Sequence, residues 1–326
     1  MNYRSLNDLS QLSTACASKI PNDIELVVGI PRSGMLAASV IALKLNIPLT
    51  DVYSFLRNDE LKKGSTRTYK HDRLVKPWDA KKVLLVDDSI CSGNSMRAAV
   101  DTMKDVFAGT VVTMAFFAEK HNQDMVDIHF ELVPQPRVFE WNIMHHPFLK
   151  DACLDIDGVL CVDPTQDEND DGPNYLGFLG NTRPLFIPSV KVAHLVTSRL
   201  EKYRPQTEEW LKRHGVQYGQ LHMLDLPSAE ERRRLKIHHK FKAEVYSGQP
   251  LARLFIESEK AQAVEIMALS NKPVYCIETN RMYRPGELAL LRAEALRNSA
   301  RLEAKVTAKL KAVARKWLPA NPARKA

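Results

Sequence analysis

The chain predicts an α/β protein made of two parallel-sheet domains followed by a basic helical tail. Three observations carry this. Seven short apolar runs alternate with amphipathic stretches, a proline-rich break interrupts them between residues 134 and 147, and the C-terminal segment is rich in Ala, Leu, Lys and Arg. The runs are 25–30, 82–88, 110–117, 152–157, 191–198, 252–258 and 273–278. Short, continuously apolar strands between helical stretches are buried on both faces, which is the habit of parallel sheets covered by helices. In such sheets ligands gather at the carboxyl ends of the strands, so the informative residues should follow each run directly.

Composition narrows the class. At 326 residues the chain has room for two domains and a tail. Hydrophobic residues make up 44% and charged residues 26%, and no run reaches the ~20 apolar residues of a membrane helix, so no membrane partner is expected. The first twenty residues lack the basic start and apolar core of a secretory signal. Five cysteines, Cys16, Cys91, Cys153, Cys161 and Cys276, form no Cys-x-x-Cys pair and suit a reduced, cytoplasmic setting. From Arg284 to Ala326 there are eleven Lys/Arg and three Asp/Glu, a net +8, whereas the whole chain is +7, which leaves −1 for residues 1–283. Basicity thus belongs to the tail, and nucleic-acid binding is expected only there, if anywhere. The expected divisions are 1–148, 150–283 and the tail 284–326.

The first domain carries VLLVDDSICSGNSM over 83–96. It reads as a buried strand ending in Asp87-Asp88, a loop of small residues, and a helix start. Backbone N–H groups with the Ser92 and Ser95 hydroxyls suit a phosphate at a helix N-terminus, and Gly93 permits close approach. The two carboxylates suit a cis-diol, directly or through Mg²⁺. This string resembles the signature of the type I phosphoribosyltransferases. The resemblance implies that Asp87 and Asp88 bind the ribose of phosphoribosyl pyrophosphate (PRPP), while Cys91, Ser92, Gly93, Asn94 and Ser95 hold its 5-phosphate. Cys91 stands where that family often has Thr, so one hydroxyl is lost.

VVGIPRSGMLAA over 27–38 is a second strand, loop and helix. It resembles the same family's pyrophosphate loop, with Arg32, Ser33 and Gly34 facing the pyrophosphate. Residues 57–73 lack periodicity and read either as a solvated hairpin or, by the resemblance, as a loop closing over the site with Arg67, Tyr69 and Lys70. Trp141, in RVFEWNIMHH (137–146), either stacks on the acceptor base or packs at the domain boundary. The implied reaction joins a nucleobase-like acceptor to PRPP and releases pyrophosphate, with no protein nucleophile required.

The second domain opens on ACLDIDGVLCVDPT (152–165), where alternation turns Asp155 and Asp157 the same way. Two such carboxylates can divide labour, one attacking phosphorus and the other handling the proton, with Mg²⁺ offsetting their charge. The string resembles motif I of the haloacid dehalogenase superfamily, and further segments match its other motifs in order. HLVTSR (194–199) supplies Thr197 or Ser198 for the phosphoryl group, with Thr197 favoured. HHKFKAEVY (238–246) supplies Lys242 in preference to Lys240. LFIESE (254–259) supplies Glu257 and Glu259 where the family usually has two nearby acids. The resemblance implies an aspartyl-phosphate route and a metal set of Asp155, Asp157, Glu257 and Glu259. About 35 residues separate the first two motifs, so the cap is minimal, and the acidic part of the insert 166–184 reads as a solvated loop.

Together these imply two Rossmann-like domains and a homo-oligomeric bifunctional enzyme. PRPP, a nucleobase-like acceptor and a phosphomonoester would be its substrates, and the nucleotide of the first half is one substrate open to the second. A PRPP- or nucleotide-sensing first domain that regulates the phosphatase or an RNA-binding tail is the alternative.

Overall fold

In the computed structural model, residues 1–64, 68 and 70–287 are described. The chain forms two compact units, Met1–His146 and Pro147–Ala326. Arg67, Tyr69 and all but the first four residues of the basic tail lie outside the described residues.

In the first unit the strands are β1 (Asn2–Arg4), β2 (Leu26–Gly29), β3 (Leu49–Asp51), β4 (Lys82–Ser89), β5 (Thr110–Ala118), β6 (Ile128–Leu132) and β7 (Arg137–Phe139). The helices are α1 (Leu6–Ala15), α2 (Ser33–Leu45), α3 (Val52–Leu56) and α4 (Asn94–Lys104). Five strands form one parallel sheet in the order β3-β2-β4-β5-β6, while β1 pairs with β7. Alternation along β4 sorts the core. Leu84 and Val86 pack with Ala37, Ala38 and Ile41 of α2. Val83 and Leu85 pack with Phe55 of α3 and Met96 and Met103 of α4. Helices therefore cover both faces, as continuously apolar strands demand.

The second unit adds β8 (Ala152–Leu154), α5 (Pro173–Asn181), β9 (Val192–Leu200), α6 (Arg204–Arg213), β10 (Tyr218–Leu224), α7 (Ala229–Leu235), α8 (His238–Gly248), β11 (Leu254–Glu257), α9 (Lys260–Ser270), β12 (Val274–Cys276) and β13 (Arg281–Tyr283). Its sheet runs β10-β9-β8-β11-β12-β13, with only the β12–β13 pair antiparallel. All seven apolar runs are strands of these two parallel arrays.

Both sheets reverse their winding direction once. The chain leaves β2 for β3 on one side and β4 on the other. It leaves β8 for β9 and β10, then returns to β11 on the opposite side. The crevices between β2 and β4, and between β8 and β11, are the topological switch points where such sheets take ligands.

The insert 166–184 is more than its acidic loop. Residues 173–181 form α5, and Asp171 accepts hydrogen bonds from Tyr203 Oη at 2.8 Å and from the Ala229 backbone N–H at 3.0 Å. Tyr175, Phe178 and Leu179 bury against Leu200 and Tyr203. An apolar ladder hidden among acidic and glycine residues supplied the driving force. No helix among the described residues is long and apolar enough to cross a membrane.

Candidate active sites

At the first switch point, Gly34 and Asp87 are packed against each other. A Cβ on Gly34 would lie 2.9 Å from Asp87 Oδ1 and 2.9 Å from the Val86 carbonyl oxygen. Only glycine lets the first turn of α2 reach the end of β4. Gly34→Ala is expected to push α2 off β4, at a cost of about 1–3 kcal/mol. A lowered unfolding midpoint together with weakened anion binding would report it.

The two aspartates are unequal. Asp88 is 4% exposed and accepts hydrogen bonds from Ser33 Oγ at 3.0 Å and from the Trp141 indole N–H at 2.8 Å. Asp87 accepts the Asp88 backbone N–H at 2.8 Å, and no cation among the described residues pairs with it. Burial, then the neighbouring Asp88 charge, pushes the Asp87 carboxyl up to about 8.

The loop after β4 is an anion cradle. Gly93 adopts φ +72° and α4 starts at Asn94. Among the described residues, the N–H groups of Cys91, Ser92, Gly93, Ser95 and Met96 meet no acceptor, and that of Asn94 meets Ser92 Oγ at 3.4 Å. Successive unpaired N–H groups at a helix N-terminus attract phosphate oxygens. Arg32 is exposed and stands between β2 and α2, at the N-cap of the helix.

Lys70 lies elsewhere. Its Nζ donates to the Asn22 carbonyl at 2.9 Å and its backbone N–H to the Asn46 carbonyl at 3.0 Å. Asn22 precedes β2 and Asn46 follows α2, so Lys70 sits at the amino ends of the strands, opposite the cradle. Sequence proximity to a loop did not fix which end of the sheet the residue would meet. The Trp141 ring stacks on Phe139 at 4.9 Å with an interplanar angle of 3°.

Residues 3–150 match the phosphoribosyl transferase domain family. The first unit is a type I phosphoribosyltransferase domain. Curated relatives include the bifunctional protein PyrR of Corynebacterium diphtheriae, 28% identical over 31% of this chain and 56% of that protein. The adenine phosphoribosyltransferase of Halothermothrix orenii is 30% identical over 30% and 60%. The xanthine-guanine phosphoribosyltransferase of Chromohalobacter salexigens is 28% identical over 37% and 68%. The chain thus spans less than two thirds of the length of the first two of these relatives. The match to this transferase domain ends at residue 150.

At the second switch point Asp155 follows β8 and Glu257 ends β11, and both reach Lys242 of α8. Lys242 Nζ donates to Asp155 Oδ2 at 2.6 Å and to Glu257 Oε2 at 2.8 Å, and all three side chains are buried. Burial alone would lower the Lys242 pKa, but the two carboxylates outweigh it and hold the ammonium above its ordinary range. Burial raises the Asp155 carboxyl, Lys242 opposes, and Glu257 and Asp157 add to the rise. Two acids share one cation. Lys240, two residues earlier, is exposed.

Asp157 faces a different partner. Arg199, wholly buried at the end of β9, donates Nη2 to Asp157 Oδ1 at 2.6 Å and Nε to Oδ2 at 3.1 Å. Thr197 is buried and its Oγ1 accepts the Arg199 backbone N–H at 3.2 Å. Glu259 is exposed and takes a hydrogen bond from Gln262 Nε2 at 2.7 Å. The four expected metal ligands therefore do not converge: Asp155 and Glu257 do, while Asp157 and Glu259 turn to other partners. Among the described residues no three His, Cys, Asp or Glu side chains form a metal-ligating group.

Sequence reading passed over Arg199, Asn122 and Arg137, all of them buried. For Arg199 a signal existed. A charged residue inside an apolar strand must find an opposite charge in the interior, and Asp157 is the acid whose strand neighbours β9.

Proposed function

We propose that the first unit transfers phosphoribosyl from PRPP to a nucleobase-like acceptor and that the second hydrolyses a phosphomonoester. What carries the first reading is the pairing, at one switch point, of the Asp87-Asp88 carboxylates with the unpaired N–H groups of residues 91–96. Carboxylates accept from the ribose hydroxyls, N–H groups donate to the 5-phosphate, and the 31–34 loop with Arg32 faces the pyrophosphate. As C1 of ribose gains positive character, the two carboxylates stabilise it. Mg²⁺ entering with PRPP would neutralise the leaving pyrophosphate. Relatives that act on adenine and on xanthine and guanine favour a purine as the acceptor.

For the second unit the reading is a haloacid dehalogenase-like site with a minimal cap, carried by the Asp155–Lys242–Glu257 cluster. Asp155 attacks phosphorus, and the P–O bond to the alcohol breaks as the aspartyl-phosphate forms. Lys242 holds Asp155 in place. Asp157, oriented by Arg199, serves the proton of the leaving oxygen and then of the attacking water. Thr197 holds a phosphoryl oxygen. Asp155 and Glu257, the two acids that converge, would hold Mg²⁺, which would polarise the phosphoryl oxygens.

Purified full-length protein with Mg²⁺, PRPP and a panel of bases is expected to release pyrophosphate, and a panel of phosphomonoesters to release phosphate. Asp155→Asn should abolish only the second activity, at least 10³-fold. Phosphate release that survives in Asp155→Asn, or pyrophosphate release absent with every base, overturns the corresponding half. PRPP that binds tightly without turnover would instead support a sensing role.

A further inference from the structure

Arg137 and Phe139 share one face of β7, and Trp141, in the 3-10 turn Glu140–His145 that follows, stacks on Phe139. Arg137 is 5% exposed, and its Nη2 donates to the Ile90 carbonyl at 2.6 Å. Asn122 is 1% exposed, and its Nδ2 donates to the Cys91 carbonyl at 2.6 Å and to the Ile90 carbonyl at 3.3 Å. Trp141 Nε1 donates to Asp88. Phe139 lies between the two ends, stacked on Trp141 and with the Arg137 guanidinium 5.7 Å from its ring centre.

In a trans peptide the C=O and the following N–H point in opposite directions. Pinning the carbonyls of Ile90 and Cys91 on Arg137 and Asn122 therefore turns the N–H groups of Cys91 and Ser92 the other way, where neither has a protein acceptor. A guanidinium buried beside a carbonyl, with the nearest carboxylate oxygen, of Glu119, at 3.9 Å, is costly to maintain for packing alone.

We propose that the segment Arg137–Trp141, with Asn122, is a brace that sets the geometry of the first site. Its Trp141 end fixes the Asp88 carboxylate, and its Arg137 end fixes the phosphate loop by the carbonyl oxygens. Trp141, Arg137 and Asn122 are positioning residues: none needs to touch substrate. The brace rests on the PRPP reading only for its effect on affinity. Its effect on the loop itself does not depend on any ligand. Base stacking by Trp141 is the competing role, and one face of its ring is already taken by Phe139.

Trp141→Phe keeps an aromatic ring on Phe139 and removes the N–H. By calorimetry on the full chain, PRPP affinity should fall about tenfold, the usual scale for losing one bond to a charged group, with the KM for the base unchanged. Arg137→Met should weaken PRPP more than it lowers kcat, and Arg137→Lys should recover part of the loss. In the ligand-free chain, hydrogen exchange at the Ile90 and Arg97 amides, which flank the loop, should quicken several-fold in Arg137→Met, while the β5 amides keep their rates. Unchanged exchange at Ile90 and Arg97, or a Trp141→Phe variant that shifts the KM for the base and not the PRPP affinity, overturns the brace. Wild-type protein that binds no PRPP overturns the functional reading instead, and the exchange comparison still decides the brace.

Discussion

Lys242→Met is expected to destabilise the second unit by about 3–5 kcal/mol, the cost of leaving buried acids without their cation. Methionine fills nearly the same volume, so packing is spared and the electrostatics are isolated. Asp155 would keep only the Ile156 N–H at 2.8 Å, whereas Glu257 retains the Ser258 N–H at 3.0 Å and Ser258 Oγ at 3.2 Å. The larger part of the loss therefore falls on Asp155. The sign of the pH dependence follows. In the variant both carboxyls are buried without a cation, so their folded pKa values rise above the unfolded ones. A raised acid favours the folded state at low pH and loses that advantage as pH rises. The variant should approach wild type near pH 4–5 and fall furthest behind by pH 8, in scanning calorimetry of the full chain. Adding Asp155→Asn and Glu257→Gln to Lys242→Met removes both charges and should restore most of the stability without restoring phosphate release. A Lys242→Met midpoint equal to wild type at pH 8 would mean that the three side chains are not the closed cluster described.

How much of this was legible in the sequence depended on whether a feature was local. Strands buried on both faces, such as Leu84–Val86 of β4 and Leu254–Ile256 of β11, announce themselves as apolar runs because every residue must be hidden. The edge strand β10 does not, since Gly219 and Gln220 are exposed and only Met223 and Leu224 are buried. The three-residue strands β1 and β7 pair Asn2 with Arg137, across 135 positions, and no local pattern encodes that. The same division holds in the sites. Asp87 and Asp88 lie at the carboxyl end of β4 and Asp155 directly follows β8, and all three were found by that rule. Trp141 on Asp88 joins residues 53 apart, and Arg199 on Asp157 joins residues 42 apart. Those partners are fixed by topology, which brings strand ends together from distant parts of the chain. Trp141, read as a base stacker or a boundary residue, turned out to be bonded to the very carboxylate that the local motif had singled out.

Asp87→Asn should give a protein that is more stable at alkaline pH and incapable of transfer. The Asp87 carboxyl is pushed up to about 8 from an ordinary 3.8, by burial first and by the Asp88 charge second. Between those values the folded chain holds a proton that the unfolded chain has released, so stability falls as pH rises, by about 1.4 kcal/mol per pH unit. It levels off once pH passes the folded value. Asparagine has the same shape and no charge to bury, so the variant should lose this slope. At pH 5 its unfolding midpoint should lie near that of wild type, and by pH 9 it should be several degrees higher. Function depends on the opposite state. Ribose hydroxyls donate to a carboxylate, so binding PRPP at pH 7 must expel the proton. Calorimetry in buffers of different ionisation enthalpy is expected to show release of up to one proton by wild type and none by Asp87→Asn. The destabilising acid is thus retained for its ligand: the site stores an unsatisfied carboxylate that PRPP, and not the protein, completes. A wild-type unfolding midpoint that stays flat between pH 6 and 9 would remove the physical basis for this expectation.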